Sequence, residues 1–283
     1  MSSRAIIAIM YDFDRTLSTE DMQNYRFIPS LGMDASEFWA LANGFANENR
    51  MDGILAYMYT MIDQAKKRGI HINRNTLVEM GKEIELFPGV YEWFKRINDY
   101  GHSQGVEIEH YVISSGLREI IQGSPICHEF KEIFASEFYY DNSGAPAWPK
   151  AAVNYTNKTQ FIYRINKGIL DISNDKDLNR SMPENSKRVR FSNMIYIGDG
   201  LSDVPCMKMV KAYGGTSIAV FENEDRAKVE ELLARDRVDY IYPADYRENS
   251  GIDVTVKNII RKMSISDVLS AETAQQRTLI NNI

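Results

Sequence analysis

An apolar run near the N-terminus ends in two aspartates that are separated by a single residue. Ile6–Tyr11 form a short, β-rich apolar run, which is typical of a strand buried on both faces of a parallel sheet. Because side chains two residues apart lie on the same side of a strand, Asp12 and Asp14 are expected to project together beyond its carboxyl end. Open α/β sheets bind ligands at that edge. Two like charges this close are costly unless a cation or a shared proton compensates them. The alternative is a turn with two solvated acids.

Composition limits the classes of protein to which the chain can belong. Its 283 residues exceed the commonest single-domain size, and its formal net charge of -6 argues against general nucleic-acid binding. Two cysteines, Cys127 and Cys206, and four scattered histidines show neither a disulfide framework nor metal-ligand spacing. No apolar run approaches the ~20 residues of a membrane span, and the N-terminal run is too short for a signal peptide. We therefore expect a cytoplasmic protein with no nucleic-acid or membrane partner.

Strand and helix patterns alternate over most of the chain. This rhythm predicts an α/β fold with a doubly wound, mostly parallel sheet, a Rossmann-like core. Residues 19–85 are different, because they lack a convincing strand and carry apolar residues such as Ile54, Met58 and Met61 at helical spacing. The sequence thus predicts an inserted helical module between two segments of one core.

The predicted boundaries follow from these patterns. The core is expected to comprise residues 1–18 and 86–263, the helical module residues 19–85, and a helical C-terminal tail residues 264–283. A hairpin is predicted around Asn142-Ser143-Gly144.

Two helices and one irregular stretch complete the local predictions. Helices are expected from Lys158 to Asn166, closed by Gly168, and from Glu224 to Ala234. The polar stretch 172–188 favours no regular structure.

Polar residues follow three of the predicted strands, and a lysine begins the helix between the last two. Carboxyl ends of parallel strands share one edge of a sheet, so these groups can converge on one site. Oxygen ligands of this kind suit Mg²⁺, and a lysine and a hydroxyl suit a phosphate. The converging groups are four carboxylates, one hydroxyl and one ammonium: Asp12, Asp14, Asp199, Asp203, Ser114 and Lys158.

With these residues in this order, the chain resembles the haloacid dehalogenase-like hydrolases, most of which are phosphatases. The four family motifs correspond to "DFDRT" at Asp12, "VISS" at Ser114, Lys158, and "GDGLSD" at Asp199. Lys150 and Lys167 are alternatives for the basic motif, and Lys158 is preferred because it begins a helix after a strand, as in the family. The resemblance extends from Asp12 to Asp203 and implies a phosphatase with a helical cap between the first two motifs, in an arrangement like that of phosphoserine phosphatase. An acid at Asp14 argues against the dehalogenases of the family.

The resemblance also implies a role for each matched residue. Asp12 would be the nucleophile that forms an aspartyl-phosphate, and Asp14 would protonate the leaving oxygen and later deprotonate water. Ser114, with backbone amides near Ser115, would bind the phosphoryl oxygens. Lys158 would bind phosphate and offset the negative charge around the nucleophile.

The implied cofactor is Mg²⁺, held by Asp12, the backbone carbonyl of Asp14, and Asp199, with Asp203 in support. The expected partner is a small phosphorylated substrate, and the expected activity is phosphomonoester hydrolysis. Two alternatives share the motifs: a phosphomutase on the same core, and a non-catalytic protein that binds a phosphate ligand.

The entrance to the helical module is open to two interpretations. Four residues there either face the substrate or form the first turn of a helix. They are Asp21, Met22, Gln23 and Arg26.

Overall fold

A seven-stranded sheet forms the centre of the described part of the chain, which is residues 4–183, 186–222 and 226–281 of a computed structural model. In chain order the strands are β1 (Ile6–Tyr11), β2 (Glu107–Leu117), β3 (Glu132–Tyr140), β4 (Pro146–Ala151), β5 (Met194–Gly198), β6 (Thr216–Phe221) and β7 (Tyr240–Pro243). They lie in the order β4-β3-β2-β1-β5-β6-β7, and each adjacent pair is parallel except β3 and β4. The predicted α/β fold with a mostly parallel sheet is confirmed.

Helices cover both faces of this sheet. In chain order they are α1 (Met22–Tyr25), α2 (Phe27–Ser30), α3 (Ala35–Asn49), α4 (Gly53–Lys67), α5 (Arg74–Met80), α6 (Val90–Ser103), α7 (Arg118–Gly123), α8 (Lys158–Lys167), α9 (Asp175–Asn179), α10 (Val204–Ala212), α11 (Arg226–Ala234) and α12 (Gly251–Asn281). Apolar side chains of α6, α7 and α12 pack on one face, and those of α8, α10 and α11 pack on the other.

The central strand β1 shows why both faces need this cover. Ile7, Ile9 and Tyr11 belong to the hydrophobic cluster on one face, whereas Ala8 and Met10 belong to the cluster on the other. All five side chains are fully buried. The unbroken apolar run in the sequence therefore reflects burial on both sides of the strand.

Most of the local predictions agree with the structure. The hairpin is present as β3 and β4, joined through a turn in which the Asp141 N–H donates to the Ala145 carbonyl oxygen at 3.0 Å. The first strand of the hairpin, β3, begins at Glu132 and pairs with β2 as well as with β4. Helix α8 begins at Lys158 and ends at Gly168, whose φ of 74° is the left-handed conformation that favours glycine.

Two predictions reach residues outside the described ranges. The helix predicted from Glu224 is observed as α11, from Arg226, and Glu224 itself lies outside the described residues. In the stretch 172–188, the described part contains the short helix α9, and residues 184–185 lie outside the description.

Residues 19–85 leave the core and return to it side by side. Ser18 and Leu86 form an antiparallel bridge, and next to it the Thr19 N–H donates to the Glu85 carbonyl oxygen at 3.0 Å. The segment between these points holds helices α1 to α5. Among them, α3 and α4 pack against each other.

Helix α5 packs against the core helix α7 with direct backbone contact. A Cβ atom placed on Gly123 would lie 1.7 Å from the carbonyl oxygen of Val78, and one placed on Gly81 would lie 2.0 Å from that of Ile120. Only glycine fits at either position, so α5 is held tightly on the core.

The C-terminal helix α12 runs without a break through the boundary drawn at residue 263. Ile252, Ile260 and Met263 are buried against the core, whereas the side chain of Val268 is 64% exposed. Residues 282–283 lie outside the described range. No helix in the described ranges has the length and apolar character that crossing a membrane requires.

Candidate active site

A fully buried lysine joins two of the predicted acids at the carboxyl edge of the sheet. Lys158, the first residue of α8, places its Nζ 3.0 Å from Oδ2 of Asp12, directly after β1, and 2.8 Å from Oδ1 of Asp203. The lysine side chain is 0% exposed, so both ion pairs are shielded from solvent. The predicted convergence of these groups on one site is thus observed.

Asp203 keeps one carboxylate oxygen without a hydrogen-bond partner. The Tyr196 hydroxyl donates to its Oδ1 at 2.7 Å, beside the lysine, but its buried Oδ2 has no partner among the described residues. This oxygen lies against Gly198, where a Cβ atom would come within 2.5 Å of it. Glycine in "GDG" therefore leaves the space that the carboxylate occupies.

Three acids are close enough to share one cation. One carboxylate oxygen each from Asp12, Asp199 and Asp203 lies within 4.8 Å of the others. Hard cations such as Mg²⁺ take oxygen ligands of this kind, and the unpartnered oxygen of Asp203 is a donor still available. The donor set fits a divalent cation.

The pKa shifts within this cluster also favour a bound cation. Burial and the charge of Asp203 raise the pKa of Asp12 to about 7, although Lys158 opposes this shift. Burial, with the charges of Asp203 and Asp12, also raises the pKa of Asp199 well above its usual range. Burial lowers the pKa of Lys158, but the two carboxylates more than compensate and raise it overall. Ionising all three acids together is costly, and a bound cation would remove that cost.

Asp14 lies beside this cluster, at the surface of a cleft. The Met22 N–H donates to its Oδ1 at 2.8 Å, which fixes the orientation of the carboxyl group. Burial, followed by the charges of Asp21 and Asp12, raises the pKa of Asp14 well above its usual range. A raised pKa favours the protonated carboxyl group, which is the form that a general acid requires.

The two predicted serines differ in their exposure to the cleft. Ser114 is fully buried, and its Oγ accepts a hydrogen bond from the Gly116 N–H at 3.0 Å. The Ser115 carbonyl oxygen accepts hydrogen bonds from the hydroxyls of Tyr57 at 2.7 Å and Ser136 at 3.1 Å. Ser115 itself lines the cleft, and its Oγ has no hydrogen-bond partner among the described residues. The bend after β2 is therefore held from two sides.

The cleft, about 260 Å³ in volume, lies between the core and the helical segment. Asp12, Asp14, Asp199 and Ser115 line it from the core. From the helical segment it is lined by an acid, an amide and three large side chains: Asp21, Gln23, Trp39, Ile54 and Tyr57.

The structure separates the four residues at the entrance to the helical segment. Asp21 and Gln23 line the cleft, and Met22 contacts it through the N–H bonded to Asp14. Arg26 instead pairs with Glu83 on the exposed surface, at 3.3 Å.

Sequence reasoning missed the aromatic part of the cleft. Trp39, Tyr57 and Tyr155 all line it. The helical spacing of apolar residues identified the segment that holds Trp39 and Tyr57. That spacing is the same whether the side chains pack in a core or line a ligand site, so it could not identify the aromatic lining. Tyr155 carried one available signal, since it lies three residues before the predicted lysine.

The comparison with protein families decides the classification. The family model for haloacid dehalogenase-like hydrolases matches residues 9–208, a range that contains all seven predicted site residues. The chain is a haloacid dehalogenase-like hydrolase. The resemblance inferred from its motifs is confirmed.

Solved structures support the fold of this haloacid dehalogenase-like hydrolase. A HAD-family hydrolase from Salmonella enterica serovar Typhi is 16% identical, with a TM-score of 0.57 over 91% of this chain and 72% of that one. A phosphoserine phosphatase in its apo form is 14% identical, with a TM-score of 0.53 over 86% of this chain and 96% of that one.

A sequence relative covers most of the chain as well. This uncharacterised protein of Borreliella burgdorferi is 25% identical over 273 residues, which cover 87% of this chain and 93% of the relative. At these identities the likeness concerns the fold.

Proposed function

We propose that this haloacid dehalogenase-like hydrolase is a Mg²⁺-dependent phosphomonoesterase that hydrolyses a small phosphorylated metabolite through an aspartyl-phosphate on Asp12. One observation carries the proposal: a fully buried Lys158 lies between Asp12 and Asp203, in a cluster of acids that a cation would complete. Beside this cluster Asp14 is held at the cleft surface by the Met22 N–H. This arrangement supports the proposal, because it brings the proposed nucleophile, a positive charge and the proposed proton donor close together.

In the first step a carboxylate oxygen of Asp12 attacks phosphorus, and the bond from phosphorus to the ester oxygen breaks. Asp14 gives its proton to that oxygen, so the leaving group departs as an alcohol. The raised pKa of Asp14 supports this role, because the group must be protonated when the substrate binds.

In the second step the aspartyl-phosphate is hydrolysed. Asp14, now a carboxylate, accepts a proton from a water molecule as the water oxygen attacks phosphorus. The bond between phosphorus and the Asp12 oxygen breaks, inorganic phosphate leaves, and both acids return to their initial states. Covalent catalysis of this kind divides one difficult displacement into two easier ones.

We assign phosphate binding to two groups: the ammonium of Lys158, which lies beside Asp12, and the bend that follows β2. Lys158 is engaged by two carboxylates, so its charge is held beside Asp12 without exposure to water. Backbone amides near Ser115, whose carbonyl is fixed by two hydroxyls, and the Ser114 hydroxyl would contact the phosphoryl oxygens. Positioning and neutralisation of charge account for most of phosphoryl-transfer catalysis.

The metal ligands would be Asp12, Asp199 and the backbone carbonyl of Asp14, with Asp203 completing the acidic triad. When bound, Mg²⁺ supplies positive charge that offsets the phosphoryl oxygens and the clustered carboxylates.

Removal of divalent cations should abolish the activity. In excess chelator, hydrolysis of an aryl phosphate should fall to background, and added Mg²⁺ should restore it. Ca²⁺ should restore little, because it prefers more ligands at longer distances. Phosphate release measured colorimetrically tests this expectation, and full activity in chelator would refute the metal requirement.

We also propose that residues 19–85 act as a cap that closes over the bound ester. The cleft is formed jointly by the core and by Trp39, Ile54 and Tyr57 of α3 and α4. Closure of such elements excludes water and orients the substrate.

Hydrogen exchange can detect this closure. Vanadate with Mg²⁺, which occupies a phosphoryl site, should slow amide exchange in α3 and α4, because closure protects their backbone. The exposed second half of α12 is the internal control and should exchange at the same rate with and without vanadate. Unchanged exchange in α3 and α4, with vanadate shown to inhibit turnover, would contradict the cap proposal.

Assays on purified protein separate the candidate functions. Release of inorganic phosphate from an aryl phosphate distinguishes a hydrolase from a phosphate-binding protein without activity. Retention of the phosphoryl group on a sugar phosphate would instead identify a mutase.

A further inference from the structure

Part of the cleft lining is aromatic. Trp39 and Tyr57 meet edge to face there, with ring centroids 5.9 Å apart and planes at 65°, and Tyr155 joins them from the loop before α8. These three residues also line an adjoining recess of about 350 Å³. The aromatic surface therefore extends from the cleft that holds the acids into this recess, and we assign it to the leaving group of the ester.

The polar atoms of the two inner rings already have partners. Nε1 of Trp39 donates to the side-chain oxygen of Asn24 at 3.1 Å, and the Tyr57 hydroxyl donates to the Ser115 carbonyl oxygen at 2.7 Å. What these rings can offer a ligand is their π surface. That surface attracts apolar groups and, more strongly, organic cations.

Charge decides between those two kinds of ligand. In the described residues that line the cleft, Arg15 is the one basic side chain, and it forms ion pairs with Glu20 at 3.4 Å and Asp21 at 3.6 Å. Two carboxylates and one guanidinium leave this group with a net negative charge. This group gives the adjoining end of the cleft a negative potential.

We infer that the substrate is the phosphate ester of an ammonium alcohol, an inference that rests on the proposed phosphatase function. The alkylammonium group would lie against the rings of Trp39 and Tyr57, with Asp21 as the carboxylate on the same side of the cleft. Such cations bind within about 6 Å of aromatic ring centroids. The ammonium group itself takes no part in the reaction, in which water cleaves the ester to the amino alcohol and phosphate.

The same features disfavour an ester whose leaving group carries a carboxylate. Its negative charge would lie near Asp21, and the described cleft residues supply no cation beyond the engaged Arg15. Like charges at short distance raise the free energy of the complex. Phosphoserine carries a carboxylate beside its ammonium group and should therefore be a poor substrate, although the fold is similar to that of a phosphoserine phosphatase.

A pair of isosteric esters tests the inference directly. Choline phosphate and 3,3-dimethylbutyl phosphate have the same shape and differ in the positive charge. The protein should show a kcat/KM for choline phosphate that is on the order of tenfold higher, as cation–π and charge attraction together predict. Phosphoserine serves as the carboxylate-bearing comparison, and an aryl phosphate reports activity that is independent of this preference.

Variants should reduce the ratio of the two kcat/KM values toward one. Asp21→Asn removes the charge and Trp39→Leu removes a ring, whereas Trp39→Phe keeps a π surface and should retain part of the ratio. Tyr59→Leu is the matched control, because Tyr59 is half exposed, stacks on Phe45 with centroids 4.7 Å apart, and lies outside the cleft lining. It should leave the ratio unchanged.

The outcomes are distinguishable. Hydrolysis of the aryl phosphate with equal kcat/KM for the two isosteres, or with a preference for phosphoserine, would overturn the inference and leave the phosphatase function intact. A ratio that persists in Asp21→Asn and Trp39→Leu would also overturn it. No hydrolysis of any ester in the presence of Mg²⁺ would overturn both proposals.

Discussion

Asp12→Asn should reduce turnover to background, a loss on the order of 10⁴-fold or more, as expected when the attacking group is removed. Asparagine has the same shape as aspartate, but its amide is not a competent nucleophile toward phosphorus. The fold should persist, because burial already raises the pKa of Asp12 and so disfavours its charged form. Steady-state phosphate release and thermal unfolding together measure the two effects.

A matched variant controls for the loss of a carboxylate as such. Asp99→Asn removes an exposed acid of α6 that pairs with Lys95, well away from the cleft lining. It should retain full turnover. Normal activity in Asp12→Asn would show that another group attacks phosphorus.

Asp14→Asn should trap the reaction half-way. The nucleophile is intact in this variant, so an ester with a good leaving group, which needs no protonation, should still phosphorylate Asp12. Hydrolysis of the aspartyl-phosphate should then slow by ~10²–10⁴-fold, because water has lost its general base. Mass spectrometry after mixing should show one added phosphoryl group on the peptide that contains Asp12.

The leaving group provides the internal control for this experiment. With an alkyl phosphate, whose leaving oxygen needs a proton, Asp14→Asn should be slow in the first step as well and should accumulate little phosphoprotein. A phosphoryl group on Ser114, or equal accumulation from both kinds of ester, would show that the roles are assigned wrongly.

The sequence was sufficient to predict the sheet and the convergence of the acids upon Lys158. Buried parallel strands have an unbroken apolar pattern, and topology brings their carboxyl ends to one edge. Asp12, Lys158 and Asp203 therefore meet although they are far apart in the chain.

Contacts between the helical segment and the core could not be predicted in this way. The Tyr57 hydroxyl reaches the Ser115 carbonyl, and the Asp52 carboxylate accepts a hydrogen bond from the Asn154 side chain at 2.9 Å. Helical periodicity shows which side of a helix is buried but not what it is buried against. For the same reason the aromatic lining of the cleft became visible only in three dimensions.

The backbone contact between α5 and α7 limits how large an ester can enter. With only glycine tolerated at Gly81 and Gly123, α5 has no room to rotate on the core. The bridge between Ser18 and Leu86 joins the two points at which the segment leaves the core and returns to it. We expect opening to be a lifting of α3 and α4 alone, with exchange in α5 unaffected by vanadate. The width of the entrance is then set by how far this one helical pair can separate from the loop at Asn154, which favours compact esters over polymers.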